Sequence, residues 1–502
     1  MTDIAGPSGI ARAAAQDTAR LQSETLRALA VAAGIGASIL FVVVGVGYQL
    51  QLYADGSLFS YAVAVRDAWA FHCHNISGRL SVYLFAFAPA EAYVQLTGDP
   101  QGGVVAYGAI FFVAQLLGLA ATFAIDRSGG RLIFTYACLS AACLCPLVFG
   151  FPTEVWVTHA LFWPTLSACH YARRGLTGSV RTLALMLALM FTHAGALISL
   201  AAILATLSLR GLHDANFRRA CRIFAVVVTA WVIVKATLRP DDYISAVLVR
   251  AALHVFDLSI LTGDFMTLLV CALGGYAAAF AIFRRLDAAR AHLYAGALAA
   301  TALALYWLRF DHALHAENRY YLRTVLLIAT PAFGTFAAAH ALASEGQLAA
   351  PYLPRLMAVL TGDTMARGAA GVVALLMLIH CVETAKFLYA WTGYKTAVRS
   401  LAMSTAADTA LGDPRFVSSK RIAPELNRLS WFSTTPFLSI LVAPNLKPDR
   451  LVVHPTSNYF WLSCETATEN LEARRAAPAE SRELVRTYSC LHRRRRTAGA
   501  SR

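Results

Sequence analysis

The sequence predicts an all-α polytopic membrane protein with about 11 transmembrane helices, a long first external loop of surface helices and a small α/β C-terminal external domain. Of its 502 residues, 58% are hydrophobic and only 14% are charged. Soluble domains have about 45–50% apolar and about 25% charged residues, so this composition excludes a conventional soluble enzyme. Long apolar stretches recur along the chain, which is typical of a protein with several membrane spans.

The apolar segments follow a polar N-terminal segment, 1–26, which we expect in the cytoplasm. A crossing needs about 20 apolar residues. No small-residue cleavage site follows the first apolar run, so we expect a retained anchor. Together the segments predict a transmembrane domain over 27–390. The predicted spans are 27–49, 103–125, 131–150, 155–172, 179–193, 194–210, 219–236, 264–283, 290–309, 323–342 and 367–390.

The segment 80–96 is apolar, but it contains Pro89, Glu91 and Gln95. A carboxylate at the centre of a transmembrane helix costs about 2.5–3.5 kcal/mol on insertion scales. If 80–96 stays outside, most arginines fall in loops assigned to the cytoplasm, as the positive-inside rule requires. We therefore predict that 51–102 is one external loop with two surface helices.

This topology requires 179–210 to be two short crossings with a hinge at His193-Ala-Gly195. Polar groups at membrane depth suit a break that faces protein or water. The alternative is one long helix over 179–210 combined with a crossing at 80–96. The preferred arrangement places the amino terminus in the cytoplasm and the carboxyl terminus outside.

Residues 391–502 differ in composition and predict an external α/β domain with a basic tail. Cys464 and Cys490 are the cysteine pair of this region. A disulfide between them would stabilise the domain by about 3 kcal/mol, and a free pair is the alternative. Strand-like runs at 438–442, 451–454 and 458–463 alternate with helical runs at 467–475 and 480–488.

The net charge is +14, from 43 Lys and Arg against 29 Asp and Glu. The basic residues are scattered over loops rather than gathered on one face. The charge therefore indicates membrane orientation and contact with membrane lipids, and we expect no nucleic-acid partner.

With this topology, carboxylates and histidines gather on the external side. Asp55 follows the first span and precedes Gly56, so it is our first candidate for a general base acting on a hydroxyl. Glu154 and His193 are predicted to line the same cleft. The structural alternatives are a solvated cap for Asp55, a helix cap for Glu154 and a hydrogen-bonded structural role for His193.

A second group of residues on the external side is suited to binding a lipid phosphate. The planar guanidinium of arginine matches the phosphate oxygens, and histidine exchanges protons near neutral pH. Two of its members, Arg319 and Tyr320, fit an interfacial anchor equally well, and the structural alternative for Asp241 is the start of a helix. The predicted group is Arg239, Asp241, His312, His315, Arg319 and Tyr320.

Several motifs are absent from the sequence: the GxxxxGK[ST] phosphate loop, GxGxxG and HExxH. ATP-driven transport and zincin chemistry lose support, and we expect no nucleotide cofactor. Whether the protein binds a divalent cation stays open. Glu383 and Lys386, three residues apart in the last span, predict an ion pair near its outer end.

The arrangement resembles the GT-C superfamily of membrane glycosyltransferases, whose catalytic acid lies in the first external loop close after the first span. Tyr53-Ala-Asp55-Gly56 corresponds to that position, 58–72 and 80–96 to the surface helices, and 391–502 to an external domain. The resemblance implies a polyprenyl-phosphate-linked sugar donor, an envelope or lipid-linked acceptor, and transfer outside the bacterial inner (plasma) membrane. The acidic pair of some members is absent, so metal dependence stays open.

Two other functions are compatible with the sequence. A non-enzymatic transporter or lipid flippase would use intramembrane polar residues such as His193, Glu383 and Lys386 along its route. A membrane scaffold would use the domain 391–502 to recruit an external partner.

Overall fold

The computed structural model describes residues 7–66, 68, 79–144, 154–172, 175–237, 264–287, 290–310, 319–405, 416–431 and 434–454. This part of the chain is predominantly helical and contains one small sheet. The first helices are α1 (Pro7–Gly47), α2 (Asp55–Ala64), α3 (Leu80–Val82 and Ala88–Thr97, joined by a π-helical segment, Tyr83–Phe87), α4 (Pro100–Ile125), α5 (Leu132–Leu144) and α6 (Glu154–Tyr171). They are followed by α7 (Leu176–Met190), α8 (Ala196–Ser208), α9 (Ala215–Thr237), α10 (Asp264–Leu286), α11 (Ala291–Phe310), α12 (Arg319–Ser344), α13 (Leu353–Leu360) and α14 (Asp363–Ala402). The remaining elements are β1 (Phe416–Ser418), α15 (Pro424–Asn427), α16 (Thr435–Leu441) and β2 (Leu451–Val453).

Every predicted span overlaps one of these helices. In the described part, four helical segments are long and apolar enough to cross a membrane by length and composition. The chain therefore has the helices of a multi-pass membrane protein, and the other crossings stay predictions. The four segments are Glu24–Gly47, Pro100–Ile125, Ala215–Thr237 and Met365–Ala402.

The helices pack as a bundle with two distinct ends. Helices α1 and α5 run in the same direction, because Arg27 donates to the Gly130 carbonyl and Gly34 lies against Cys138 further along both helices. Helix α4 runs opposite to α1, since Phe41 in α1 contacts Phe112 midway along α4, whereas Gln51, after the end of α1, contacts Gly108 earlier in α4. We call the end of the bundle where α1 ends and α4 begins the upper end, and the opposite end the lower end.

Helix α3 begins and ends at the upper end. Its preceding residue, Arg79, forms an ion pair with Glu154 at the start of α6. Helix α6 runs parallel to α4, because Phe41 contacts both Phe112 and Trp156, and Gly118 lies against Ala160 further along both helices. Its last residue, Thr97, is separated only by Gly98 from Asp99. The Asp99 carboxylate caps α4 by accepting a hydrogen bond from Gly102 N at 2.9 Å. This geometry favours the interpretation of 80–96 as a segment that does not cross the membrane.

The predicted break within 179–210 is confirmed, because α7 ends at Met190 and α8 begins at Ala196. The connecting turn lies at the upper end, where Phe191 O accepts from Ser81 N at 3.2 Å. The turn includes His193, whose Nδ1 accepts from Gly195 N at 3.0 Å.

Helix α2, at Asp55–Ala64, differs from the surface helix predicted at 58–72. Every residue of α2 after Asp55 is buried. Its sequence is apolar or small on all sides, and a helix without a polar face is stable only when it is covered. The cover comes from the C-terminal region, where Thr434 O accepts from Ser57 Oγ at 3.1 Å and the Phe437 ring lies 5.2 Å from that of Tyr61.

The C-terminal region agrees with the sequence only in part. The predicted strand at 451–454 is confirmed as β2, which pairs in parallel with β1. The predicted strand at 438–442 is wrong, because helix α16 covers most of it. Pro436 lies in the first turn of that helix, where the fixed φ of proline favours helix formation. The runs 458–463, 467–475 and 480–488, with Cys464 and Cys490, lie outside the described residues.

Helix α14 continues beyond the predicted end of the last span at residue 390. In this extension, Trp391 Nε1 donates a hydrogen bond to Tyr48 O at 3.0 Å, just beyond the end of α1. Within α14, Lys386 Nζ lies 2.7 Å from Glu383 Oε1, which confirms the predicted ion pair. The last turns of α14 thus extend above the bundle and support the C-terminal region.

Candidate functional site

Asp55 is the first residue of α2 and lies at the upper end of the bundle, directly after the connection from α1. It is partly exposed, whereas the residues on both sides of it are buried. An acid in the first turn of a helix interacts favourably with the helix dipole. The next position requires glycine, because a Cβ at Gly56 would overlap with the Gln51 carbonyl. The close packing of Gly56 on Gln51 therefore fixes the backbone at the start of α2, where Asp55 lies.

Glu154 is the first residue of α6, so it lies within the helix rather than at a cap before it. Its Oε1 accepts from Arg79 Nη1 at 2.5 Å. The Glu154 side chain is 7% exposed and that of Arg79 is 22% exposed. The ion pair therefore fixes an arginine from the segment before α3 against the bundle.

The hydroxyl of Tyr107 on α4 lies in the same region as Asp55 and the Arg79–Glu154 ion pair. It is buried and lies within electrostatic range of Glu154, Arg79 and Asp55. It has no hydrogen-bond partner among the residues described. The Asp55 carboxylate, the Arg79–Glu154 ion pair and the Tyr107 phenol therefore lie in one region at the upper end.

Gln51 adds a buried amide to this region. It is fully buried and contacts Gly108, the residue after Tyr107, where any side chain would overlap with the Gln51 amide. Neither amide atom has a hydrogen-bond partner in the described part of the chain. A buried polar group without a protein partner is costly, which is typical of functional sites that a ligand or water completes.

His193 is brought to the same end through the α7–α8 turn. The preceding residue, Thr192, is hydrogen-bonded through its Oγ1 to Thr158 Oγ1 at 2.8 Å. Thr158 in turn donates to the backbone carbonyl of Glu154 at 2.9 Å. His193 thus lies near the start of α6, while its Nδ1 is engaged by the backbone of its own turn.

Sequence reasoning missed Arg79, Tyr107 and the role of Glu91. Glu91 Oε1 accepts from Ala68 N at 2.7 Å, so this carboxylate fastens the segment after α2 to α3. Its position in an otherwise apolar segment was the signal for a specific polar contact. Arg79 and Tyr107 gave no signal, because single residues of these types are common near membrane surfaces.

A second buried polar cluster lies below the site. His159 Nδ1 is 2.8 Å from Gln115 Oε1, and its Nε2 is 2.8 Å from Ser140 Oγ. The Trp156 ring stacks on the imidazole with centroids 4.9 Å apart. Both ring nitrogens are therefore satisfied, which indicates that this histidine connects α4, α5 and α6.

The predicted lipid-phosphate group cannot be assembled from the described residues. Arg319 and Tyr320 begin α12, and only their backbone is described. Arg239, Asp241, His312 and His315 lie outside the described residues. Within the residues that are described, no group of three or more His, Cys, Asp and Glu side chains is arranged to hold a metal ion.

Comparison with known proteins adds no relative. No protein-family model, no curated protein and no solved structure matches this chain. The function is therefore inferred from the residues and their arrangement.

Proposed function

We propose that this protein is an integral-membrane glycosyltransferase that moves a sugar from a polyprenyl-phosphate donor to an envelope or lipid-linked acceptor. The observation that carries the proposal is that Asp55, the Arg79–Glu154 ion pair and the buried Tyr107 hydroxyl lie in one region at the upper end of the bundle. Such a set offers a base and a cation at one end of a helical bundle, which transfer from an anionic donor requires.

In the proposed reaction, the Asp55 carboxylate accepts the proton of an acceptor hydroxyl. The acceptor oxygen forms a bond to the anomeric carbon, and the bond from that carbon to the phosphate oxygen breaks. The lipid phosphate leaves with the bonding electron pair. Cationic side chains stabilise the charge that develops on it.

Within this proposal the residues have separate roles. Glu154 positions Arg79, because the two side chains form a partly buried ion pair. His193 lines the same end of the bundle. The phosphate contacts are assigned to Arg239 and Arg319, with His312 and His315, as the sequence predicts. Asp241 and Tyr320 complete the proposed lipid-phosphate group.

The proposed location is the bacterial inner membrane, with several crossings. The proposed orientation has the amino terminus in the cytoplasm and the carboxyl terminus in the periplasm. It is supported by the arginine-rich loops expected at the lower end, since cytoplasmic loops carry an excess of basic residues. The contacts of α2 with the C-terminal region fit a reaction at the proposed outer face.

The test is mass spectrometry of envelope glycans from cells that carry the wild-type gene, Asp55→Asn, or no gene. Asp55→Asn should abolish the glycan product while the protein stays inserted and abundant. Asp99→Asn is the matched control, because Asp99 is an exposed acid at the same end whose described role is to cap α4. Full product from Asp55→Asn would contradict the base assignment. Movement of substrate across sealed vesicles without a new covalent product would instead support a transporter or flippase.

A further inference from the structure

A cleft of about 680 Å³ lies at the upper end of the bundle, between α14 and the helices α1 and α4. One wall is formed by the end of α1 and the first turns of α4, including Gln49 and Gln101. The other wall is formed by α14 and the segment 441–446 of the C-terminal region. Asp55 is not among the described residues that line it, so the cleft is separate from the carboxylate site.

The charges that line this cleft are positive. They belong to Lys395 and Arg399, and no acid is among its described lining residues. The two cations are four residues apart on α14, so they lie on one face of the helix. Asp99 is close in sequence to the α4 wall. Its carboxylate accepts a hydrogen bond from Gly102 N at 2.9 Å.

Lys395 is held in place by α1. Its Nζ donates to Tyr48 O at 2.8 Å and lies 3.4 Å from Gln49 Oε1. An ammonium has three donors, so these two described contacts leave one donor for a ligand. Arg399 is exposed and supplies a guanidinium, whose planar fork of donors matches the oxygens of a phosphate.

The cleft lies at the level where tyrosines emerge from the bundle. Three tyrosines at this end have exposed fractions of 41% (Tyr48), 39% (Tyr93) and 86% (Tyr389). Tyrosine is enriched at the boundary between hydrocarbon and water, where the ring is apolar and the hydroxyl is hydrated. These exposed tyrosines fit a cleft at the depth of lipid headgroups.

The α4 wall of the cleft continues into the apolar part of the bundle. Val104 and Val105 line the cleft, and Val105 is 37% exposed on the surface of α4. A ligand with a charged head and an apolar chain is thus matched at both ends. A soluble anion would leave the valine surface uncovered.

We propose that this cleft binds the phosphate headgroup of an anionic membrane lipid, with Lys395 and Arg399 contacting the phosphate oxygens and Val104 and Val105 contacting the adjoining chain. The inference goes beyond the proposed transferase reaction, because binding requires no chemistry at Asp55. Without a lining acid, the cleft has no described group to pair with the cation of a zwitterionic headgroup.

The test is native mass spectrometry of the full-length protein after incubation with phosphatidylglycerol, phosphatidylcholine or inorganic phosphate. The wild type should retain phosphatidylglycerol about tenfold better than phosphatidylcholine, because charge-assisted bonds distinguish the headgroups. Lys395→Gln combined with Arg399→Gln should lower that retention about tenfold. Arg399→Gln alone removes no described side-chain contact and should lower it severalfold without loss of folding.

The control is Arg428→Gln, which removes an exposed arginine of the C-terminal region outside the cleft and should leave retention unchanged. Equal retention by the wild type and the double variant would overturn the proposal. Displacement of the lipid by an equal concentration of inorganic phosphate would overturn it as well, because it would assign the cleft to soluble phosphate. Asp55→Asn should keep full retention, so this result is independent of whether the protein is a transferase.

Discussion

Arg79 and Glu154 are 75 residues apart in the sequence, and their side chains form an ion pair with 2.5 Å between Nη1 and Oε1. The contact joins the segment before α3 to the start of α6. Because the Glu154 side chain is 7% exposed, the ion pair compensates a largely buried charge. The same pair lies near the Tyr107 hydroxyl, so it belongs to the region of the candidate site.

Removal of Arg79 should destabilise the protein strongly. Breaking a buried pair by deleting one partner costs about 3–5 kcal/mol, because a buried charge is left uncompensated, and partial exposure of Arg79 places the expected loss for Arg79→Ala at about 3 kcal/mol. The double variant Arg79→Ala/Glu154→Gln should be less destabilised than the sum of the single variants. The free energy of unfolding in detergent measures both. Arg127→Ala, at an exposed lower-end position, is the control, and strict additivity of the pair would contradict the interaction.

Tyr107→Phe separates a structural from a functional role of the phenol. The hydroxyl has no described hydrogen-bond partner, so its removal should change the free energy of unfolding by less than about 1 kcal/mol. If the hydroxyl serves the reaction near Asp55, the transfer rate should fall about tenfold or more. Unchanged transfer would exclude Tyr107 from the site. A large loss of stability would show instead that the hydroxyl is needed for folding.

Gly34 and Gly36 provide a matched pair for testing the packing of α1. A Cβ at Gly34 would overlap with the backbone of Cys138 on α5, whereas nothing lies within 4 Å of a Cβ at Gly36. Small residues allow close helix contact in membranes. Gly34→Leu should therefore lower the thermal unfolding midpoint in detergent, and Gly36→Leu should leave it nearly unchanged. Equal midpoints for the two variants would contradict the described α1–α5 contact.

The proposed sidedness predicts which positions react with an impermeant thiol reagent added to intact cells. In a cysteine-free background, cysteines placed at Leu96 and Glu425 should be labelled, because both positions are exposed at or above the upper end. A cysteine at Arg127 should be labelled only after the membrane is opened, since Arg127 lies at the lower end. Labelling of positions 96 and 425 from opposite sides would contradict the topology and the proposed reaction at the outer face.

The positions of the long apolar helices followed from the sequence alone. Apolar runs of sufficient length predict spans, and each predicted span overlaps a helix. The break between α7 and α8 and the ion pair of Glu383 with Lys386 were also predicted, because both depend on neighbours close in sequence. Local chemistry decides such features, and local chemistry is visible in a sequence.

Tertiary structure decided the features that depend on distant partners. The helix at 55–64 is buried rather than exposed, because the C-terminal region, far along the chain, covers it. The run at 438–442 is mostly helical, since proline in a first turn and packing on α2 outweigh strand propensity. Asp55 and Glu154 were chosen from the sequence by position, but Arg79, the ion-pair partner of Glu154, and the nearby Tyr107 were not. Residues that are widely separated along the chain become neighbours only through helix packing, and apolar periodicity does not specify which helices pack together.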